Sequence, residues 1–251
     1  MTAPLLAALE DGILNLTLNR PGKRNALNTE VLDLLHQELE RADLDGDVRV
    51  VVLRGGKDFC AGADLEELLA SAERSLAENE SSALRLGDLF IRLRELPKPL
   101  LAVVQGRALA GGAGLASACD LVVAGAGAQF GYPEIQRGFA PAMVTALLRR
   151  MVGEKVALDL VLTGRVLAAE EARAVGLVSR VVPDKELERE AQRIAAALAE
   201  LSQSALGLTK RLYYQLDGMP LAEGIALGAR VNAVARGTPD FREAITRFLK
   251  P

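Results

Sequence analysis

Cys60-Ala61-Gly62-Ala63-Asp64-Leu65 is answered further along the chain by Gly106-Arg107-Ala108-Leu109-Ala110-Gly111-Gly112-Ala113-Gly114-Leu115, and the reading of these two stretches decides the fold. Each is a turn of small residues that follows an apolar run, Val48 to Leu53 or Leu100 to Val104, and precedes helical spacing. Side chains this small leave backbone N–H groups bare. Two such turns brought together can aim their donors at one oxygen, which is how an oxyanion hole is built.

Working outward, the two apolar runs and a third, Leu121 to Ala124, read as strands covered on both faces. Upstream, Leu14, Leu16 and Leu18 alternate with Asn15, Thr17 and Asn19, the period of a half-buried strand. Asn28 reads as the N-cap of a helix whose Val31, Leu35, Leu39 and Ala42 form an apolar face. A second helix is predicted with Leu65, Leu68, Leu69, Ala72 and Leu76 on one stripe, and Ser71 to Ser82 as its mobile continuation and a candidate pocket wall. After Glu186 the pattern is helical, with Leu187, Ala191, Ile194, Ala195, Leu198 and Leu201 on one face. Further helices are predicted around Thr209, Ala226 and Ala244, with Pro220 and Pro239 in first turns. This alternation of strands and helices argues an α/β fold.

Composition excludes several classes. In 251 residues, 50% hydrophobic and 25% charged, the chain reads as an ordinary globular protein able to bury a large core. A net charge of −3 gives no general pull toward nucleic acid or anionic lipid, so neither is an expected partner. Pro4-Leu5-Leu6 has no preceding Lys or Arg and Glu10-Asp11 interrupts it, so no signal or transit peptide is expected and the mature start is placed at Met1 or Thr2. The last residues, Phe248-Leu249-Lys250-Pro251, match no organelle address, and a cytoplasmic location is expected. Leu100 to Gly131 carries only Arg107 and Asp120 as charges, yet its glycines and Gln105 favour a buried strand, turn and helix over a membrane span. Cys60 and Cys119 form no CxxC pair, no metal site is expected, and both read as buried small hydrophobes. His36, the one histidine, reads as a solvated surface residue, which leaves a Ser-His-Asp triad without support.

With Asn19-Arg20-Pro21 upstream and Phe130-Gly131-Tyr132-Pro133-Glu134-Ile135 downstream, the four segments resemble in order and spacing the enoyl-CoA hydratase/isomerase, or crotonase, family. The resemblance covers nearly the whole chain. It implies a spiral of ββα units over residues 1–196 and a helical oligomerisation segment over 197–251, assembled as a homotrimer or a dimer of trimers. Phe241, Ile245, Phe248 and Leu249 would be buried there, although helices folded back on their own core would give a monomer. It implies an acyl-CoA substrate, carried as a coenzyme A thioester, and no permanently bound cofactor.

By position in the family motifs, the backbones of Ala63 and Gly111 would be the oxyanion donors and Glu134 the acid/base. Gly22, Lys23 and Arg24 would lie beside the adenine and phosphates, and Ala63, Asp64, Leu65 and Glu66 along the pantetheine arm. The chemistry suits these roles: a carboxyl in an apolar pocket can shuttle protons near neutrality, and Lys and Arg are phosphate binders. Plainer readings stand beside them. Gly111, Gly112 and Gly114 allow close helix packing, Asp64 with Glu67 forms a capping box, Asp120 is a structural hydrogen-bonding partner, Glu134 occupies a Pro-initiated turn, and Lys23-Arg24 is a solvated loop.

Two departures from the family pattern bear on the reaction. Where family hydratases carry a second glutamate this chain has Gly114, so water is poorly placed and the reading leans to double-bond isomerisation by one base. The alternatives are hydration with Tyr132, Glu66 or Glu67 positioning the water, another enzyme of the scaffold such as a decarboxylase or thioester hydrolase, and a non-catalytic CoA-binding or assembly protein. Gly114→Glu is expected to raise hydration if the pocket has room. Second, Ala140-Pro141-Ala142-Met143-Val144 replaces a Gly-rich string, which implies a different or narrower acyl pocket, or only a differently filled core.

Overall fold

A tight Asp11-Gly12 turn, with φ of +50° and +77°, opens the fold by joining β1 (Leu5–Glu10) to β2 (Ile13–Leu18) as an antiparallel hairpin. The structure, a computed structural model, describes residues 3–249; the expectations placed on Met1, Thr2, Lys250 and Pro251 lie outside the described residues. Five of the six β1 residues are exposed, so this strand carries no burial pattern for the sequence to reveal.

The chain continues through α1 (Thr29–Leu44), β3 (Val50–Arg54), α2 (Leu65–Ala70), α3 (Leu76–Glu95), β4 (Leu100–Val104), β5 (Arg107–Leu109), α4 (Gly111–Ala118), β6 (Leu121–Gly125) and β7 (Gln129–Gly131). Then follow α5 (Ala142–Met151), α6 (Glu154–Thr163), β8 (Val166–Ala168), α7 (Ala169–Ala174), β9 (Arg180–Val182), α8 (Leu187–Ala199), α9 (Gln203–Gln215), α10 (Leu221–Arg236) and α11 (Pro239–Leu249). A main sheet in the order β1-β2-β3-β4-β6-β9 is parallel beyond its first pair, and a small sheet, β5-β7-β8, lies after the main strands have turned. After β2, β3, β4 and β6 the chain in turn adds the Leu27 bridge, the Cys60 bridge, β5 and β7 to a second layer. That is the crotonase-type α/β spiral.

The main sheet is buried on both faces. Leu14, Leu16, Val51, Leu53 and Ala102 face a core shared with α1, α3 and α4. Ile13, Val50, Val52, Leu101 and Val103 face Leu187, Ala191, Ile194 and Ala195 of α8. The expected α8 face stops short, because Ala199 is its last buried residue and Leu201 is exposed. The expected division between 196 and 197 falls inside this helix. Asn28 caps α1 by accepting from Val31 N–H at 3.1 Å, and the four expected apolar residues of that helix are buried.

Three local expectations are corrected. The single helix from Leu65 to Leu76 is broken by a 3-10 turn at Ser71–Glu73, and Ser75 with Glu78 forms a capping box that starts α3. The supposed apolar stripe is therefore outside, with Leu69 77% and Leu76 85% exposed. His36 is half-buried against α3, its Nε2 3.1 Å from the Arg85 carbonyl oxygen. Pro239 is the first residue of α11 as expected, whereas Pro220 stands just outside α10 as its N-cap.

α10 and α11 bury no described residue, and α9 buries only Gly207. α9 is instead fastened by polar groups. Lys210 Nζ donates to the carbonyls of Leu93 (2.9 Å) and Lys98 (3.1 Å) and pairs with Asp120 at 2.7 Å. Asp120 also accepts from Leu100 N–H (2.8 Å) and Tyr214 O–H (2.9 Å), as its structural reading required. No helix among the described residues is long and apolar enough to cross a membrane. Because removing one partner strands a buried charge, Lys210→Met should cost about 3 kcal/mol of unfolding free energy in urea titration. A loss below about 0.5 kcal/mol, the range of ordinary surface substitutions, would show the pair to be dispensable.

Candidate active site

The site is built from backbone bonds between segments distant in sequence. Leu27 N–H donates to Gly62 O and Leu27 O accepts from Asp64 N–H, both at 2.8 Å. This parallel bridge uses the groups on either side of the Ala63 N–H and leaves that donor unspent. Cys60 in turn donates to Arg107 O and accepts from Leu109 N–H, each at 2.9 Å, which brings the second turn alongside the first. Gly111 opens α4, so its N–H has no intrahelical acceptor. Among the described residues neither the Ala63 nor the Gly111 N–H has an acceptor.

Close approach of the two turns depends on Gly62. Its φ is +96°, and a Cβ there would stand 2.7 Å from Ala110 Cβ. Ala110 itself has φ +52° and ψ −127°, a conformation that costs an L-residue of order 1–3 kcal/mol. It is held there by its N–H bond to Gly131 O at 2.8 Å and by Gly114 N–H donating to its carbonyl at 3.0 Å.

Two chambers meet at this point. One, of 320 Å³, is lined by Lys23, Arg24, Arg107, Arg137 and Glu134. The other, of 390 Å³, is lined by Leu27, Leu32, Leu68, Leu86 and Met143, and its outer wall includes Ser71, Arg74, Asn79 and Ser82. The stretch expected to form a pocket wall does so. Ala63, Asp64, Ala110 and Phe139 line both chambers, and Gly111 lines the second.

Glu134 lies in a 3-10 turn, Pro133–Arg137, that leaves β7. Its side chain is buried and its Oε2 has no hydrogen-bond partner among the described residues. Burial pushes its carboxyl above the usual range, against the weaker pull of its own backbone N–H and of Arg137. Every other carboxylate lining the chambers is engaged. Asp64 caps α2 through Glu66 N–H (3.0 Å) and pairs with Arg20 at 2.8 Å; burial opposes its charge, but these bonds win and hold it below the usual range. Glu66 pairs with Lys23. Glu67 accepts from the Thr29 N–H (2.9 Å) and O–H (3.0 Å), so Asp64 is a cap without the expected capping box. Tyr132 lines neither chamber; it is buried with its hydroxyl 3.3 Å from Ser117 Oγ, and burial raises it to about 12.

The family model described as Enoyl-CoA hydratase/isomerase matches residues 8–250. The chain belongs to this family. A Thermus thermophilus protein with an enoyl-CoA hydratase name is 46% identical over 234 residues, covering 93% of this chain and 92% of that one. The 2,3-dehydroadipyl-CoA hydratase of Escherichia coli is 39% identical over 248 residues, covering 98% of this chain and 95% of its own. The crystal structure of an enoyl-CoA hydratase from Mycobacterium smegmatis superposes with a TM-score of 0.94 at 34% identity, covering 98% and 96% of the two chains. This protein is therefore an acyl-CoA enzyme of the enoyl-CoA hydratase/isomerase family.

Within this family member, Lys23, Arg24, Ala63, Asp64, Leu65 and Glu66 line the charged chamber, whereas Gly22 sits on an exposed turn and lines neither chamber. Gly114 does not face an open pocket. A Cβ there would stand 2.6 Å from Phe90 Cζ and 2.7 Å from Val144 Cγ1, so Gly114→Glu meets a filled core, and the expected gain in hydration is withdrawn. The close-packing reading holds for Gly114 and for Gly112, which lies against the Cys60 backbone.

Several residues were missed. Arg107 is held by Asp58 through bonds of 2.8 and 3.1 Å, and buried Asn25 accepts from Arg20 N–H (2.8 Å) while donating to Asp58 O (2.7 Å). A lone Arg in an apolar run and an Asn close behind Asn-Arg-Pro were the available signals. Cys60 and Cys119 are buried free thiols, and burial pushes Cys60 up to about 12.

The raised carboxyl of Glu134 has a thermodynamic sign. Its contribution to stability is fully present below the unfolded value, about 4.3, and is lost as pH rises through the higher folded value. Glu134→Gln should therefore be more stable than wild type in urea at pH 8, with the difference vanishing near pH 4. A wild type more stable than the Gln variant at pH 8 contradicts the assignment of burial as the dominant cause.

Proposed function

We propose that this enzyme shifts the double bond of a 3-enoyl-CoA to the 2-position through a thioester enolate, with Glu134 as its single acid/base. The observation that carries the reading is Glu134: among the carboxylates lining the chambers, it alone has a buried oxygen without a partner among the described residues. Its carboxylate takes a proton from C2. The charge moves onto the thioester oxygen, where the Ala63 and Gly111 N–H groups stabilise it, each donor contributing roughly 3 kcal/mol. The positive end of the α4 dipole adds to that field. The neutral Glu134 then returns its proton to C4, and the conjugated 2-enoyl-CoA leaves. Burial makes Glu134 a stronger base than a solvated carboxylate, which matches it to an α-proton better.

On this reading Lys23, Arg24 and Arg137 meet the coenzyme A phosphates and Gly22 lets the nucleotide approach. Ala63 to Glu66 run along the pantetheine arm and the apolar chamber takes the acyl chain. The names of the Thermus and Escherichia relatives favour hydration as a second reading. That reaction needs a second group to hold water, and Glu66 and Glu67 are both bonded elsewhere while Phe90 and Val144 fill the space beside Gly114.

Short 2-enoyl-CoA and 3-enoyl-CoA incubated separately, with products weighed by mass spectrometry, separate the two. Isomerisation gives an isobaric product from the 3-enoyl thioester, and Glu134→Gln slows it by about 10²–10⁴-fold while leaving coenzyme A affinity in place. Gain of one water by the 2-enoyl thioester as the faster reaction overturns the isomerase reading in favour of hydration.

The exposed Leu221, Ile225, Val234, Phe248 and Leu249 of α10 and α11 fit burial between subunits in a homotrimer or dimer of trimers. Light scattering at micromolar concentration should return three or six times the chain mass. A single chain mass contradicts it.

A further inference from the structure

The end of the acyl chamber is set by the contact between α3 and α5. A Cβ on Gly111 would stand 3.1 Å from Leu86 Cδ2, so the chamber begins with Leu86 of α3 beside the proposed oxyanion donor. The next residue, Gly87, has no side chain, and a Cβ there would stand 3.6 Å from Met143 Cγ of α5. Met143 fills the space that Gly87 leaves. Behind it lies a second cavity of 390 Å³ between α3, α5 and α9, with Phe90, Ile91, Leu147 and Tyr214 among its lining residues. Among the described lining residues, Met143 alone belongs to both this cavity and the acyl chamber.

We propose that Met143 is the gate that limits acyl length: the wild-type chamber takes short chains, and cutting Met143 back lets a long, unbranched aliphatic chain run on into the cavity between α3, α5 and α9. The inference rests on the proposed function only in seating the thioester at Ala63 and Gly111. The cavity beyond the gate suits such a chain because its wall is largely apolar, with the Arg150–Asp217 pair as its exception beside Arg94. A chain entering it gains about fourfold in affinity for each buried methylene. Met is unbranched, so its removal opens a window without taking a branched anchor from the core.

The test measures binding of saturated butanoyl-, hexanoyl-, decanoyl- and dodecanoyl-CoA by calorimetry, which needs no turnover, together with kcat/KM for the 3-enoyl-CoAs of the same lengths. Met143→Ala should raise the dodecanoyl-to-butanoyl affinity ratio at least tenfold over wild type, while Met143→Leu keeps the wild-type ratio. Gly87→Val in the Met143→Ala background should restore the wild-type ratio by refilling the opening from α3. An unchanged ratio in Met143→Ala, or a double variant that leaves the raised ratio in place, overturns the gate. A protein that shows the expected shift in binding but no isomerisation supports the gate and overturns the proposed reaction, so the two failures are distinguishable. Failure to bind any acyl-CoA overturns both.

Discussion

Everything in the site hangs on the hydrogen-bond register between Leu27 and the Gly62-Ala63-Asp64 turn. A parallel bridge can use only every second backbone group, and this one uses Gly62 O and Asp64 N–H. A shift by one residue would commit the Ala63 donor to Leu27 and turn the unspent N–H away. The register is fixed from both sides, because Cys60 is bonded to Arg107 and Leu109 and Asp64 is clamped by Arg20. Buried backbone donors almost always find partners. Among the described residues the Ala63 and Gly111 donors have no acceptor, at the meeting of two chambers and next to a strained Ala110, which supports the proposed reading of a surface shaped to receive an oxygen that is not part of the protein.

Charge is sorted around this point with similar economy. The side carrying Lys23, Arg24, Arg107 and Arg137, with Asp64, Glu66 and Glu134 among them, is the charged one, and the side lined by leucines and Met143 is largely apolar. Carboxylates that might compete as bases are tied up in caps and ion pairs, and those bonds keep Asp64 ionised. Of the carboxylates lining the chambers, Glu134 is the one with a buried oxygen short of partners among the described residues, and its burial raises the carboxyl and costs the fold stability at neutral pH. The same burial that makes it unfavourable for folding fits it for moving protons. The missing carboxylate at 114 is not a vacancy in this arrangement, since Phe90 and Val144 occupy its place.

Much of the fold was legible because it is written in short-range patterns. The buried strands β3, β4 and β6 are continuous apolar runs, α1 has both its cap and its period, and four motifs in order carry the spiral. β1 was not legible, because a strand exposed along most of its length has no burial period. The break after α2 was missed because Leu residues continue at helical spacing through it, while Ser75 and Glu78 restart the helix by capping chemistry. For the site, the positions of Ala63, Gly111 and Glu134 came from resemblance, and local sequence alone could not have shown which turns lie side by side. What surrounds Gly114 was hidden for a different reason: its neighbours arrive from α3 and α5, so no local window around that glycine contains them. The Asn25–Asp58–Arg107 network is equally long-range.

On the proposed reading the Ala63 and Gly111 N–H groups converge on one thioester oxygen. Infrared difference spectroscopy of a saturated acyl-CoA carrying ¹³C at its thioester carbonyl, bound to the protein, reads that contact without any turnover. Two backbone donors in a site drier than water polarise the C=O bond, so a single narrow carbonyl band is expected at lower wavenumber than the same thioester shows in water. A band at or above its position in water, or one as broad as in free solution, would mean that the two donors do not hold the oxygen.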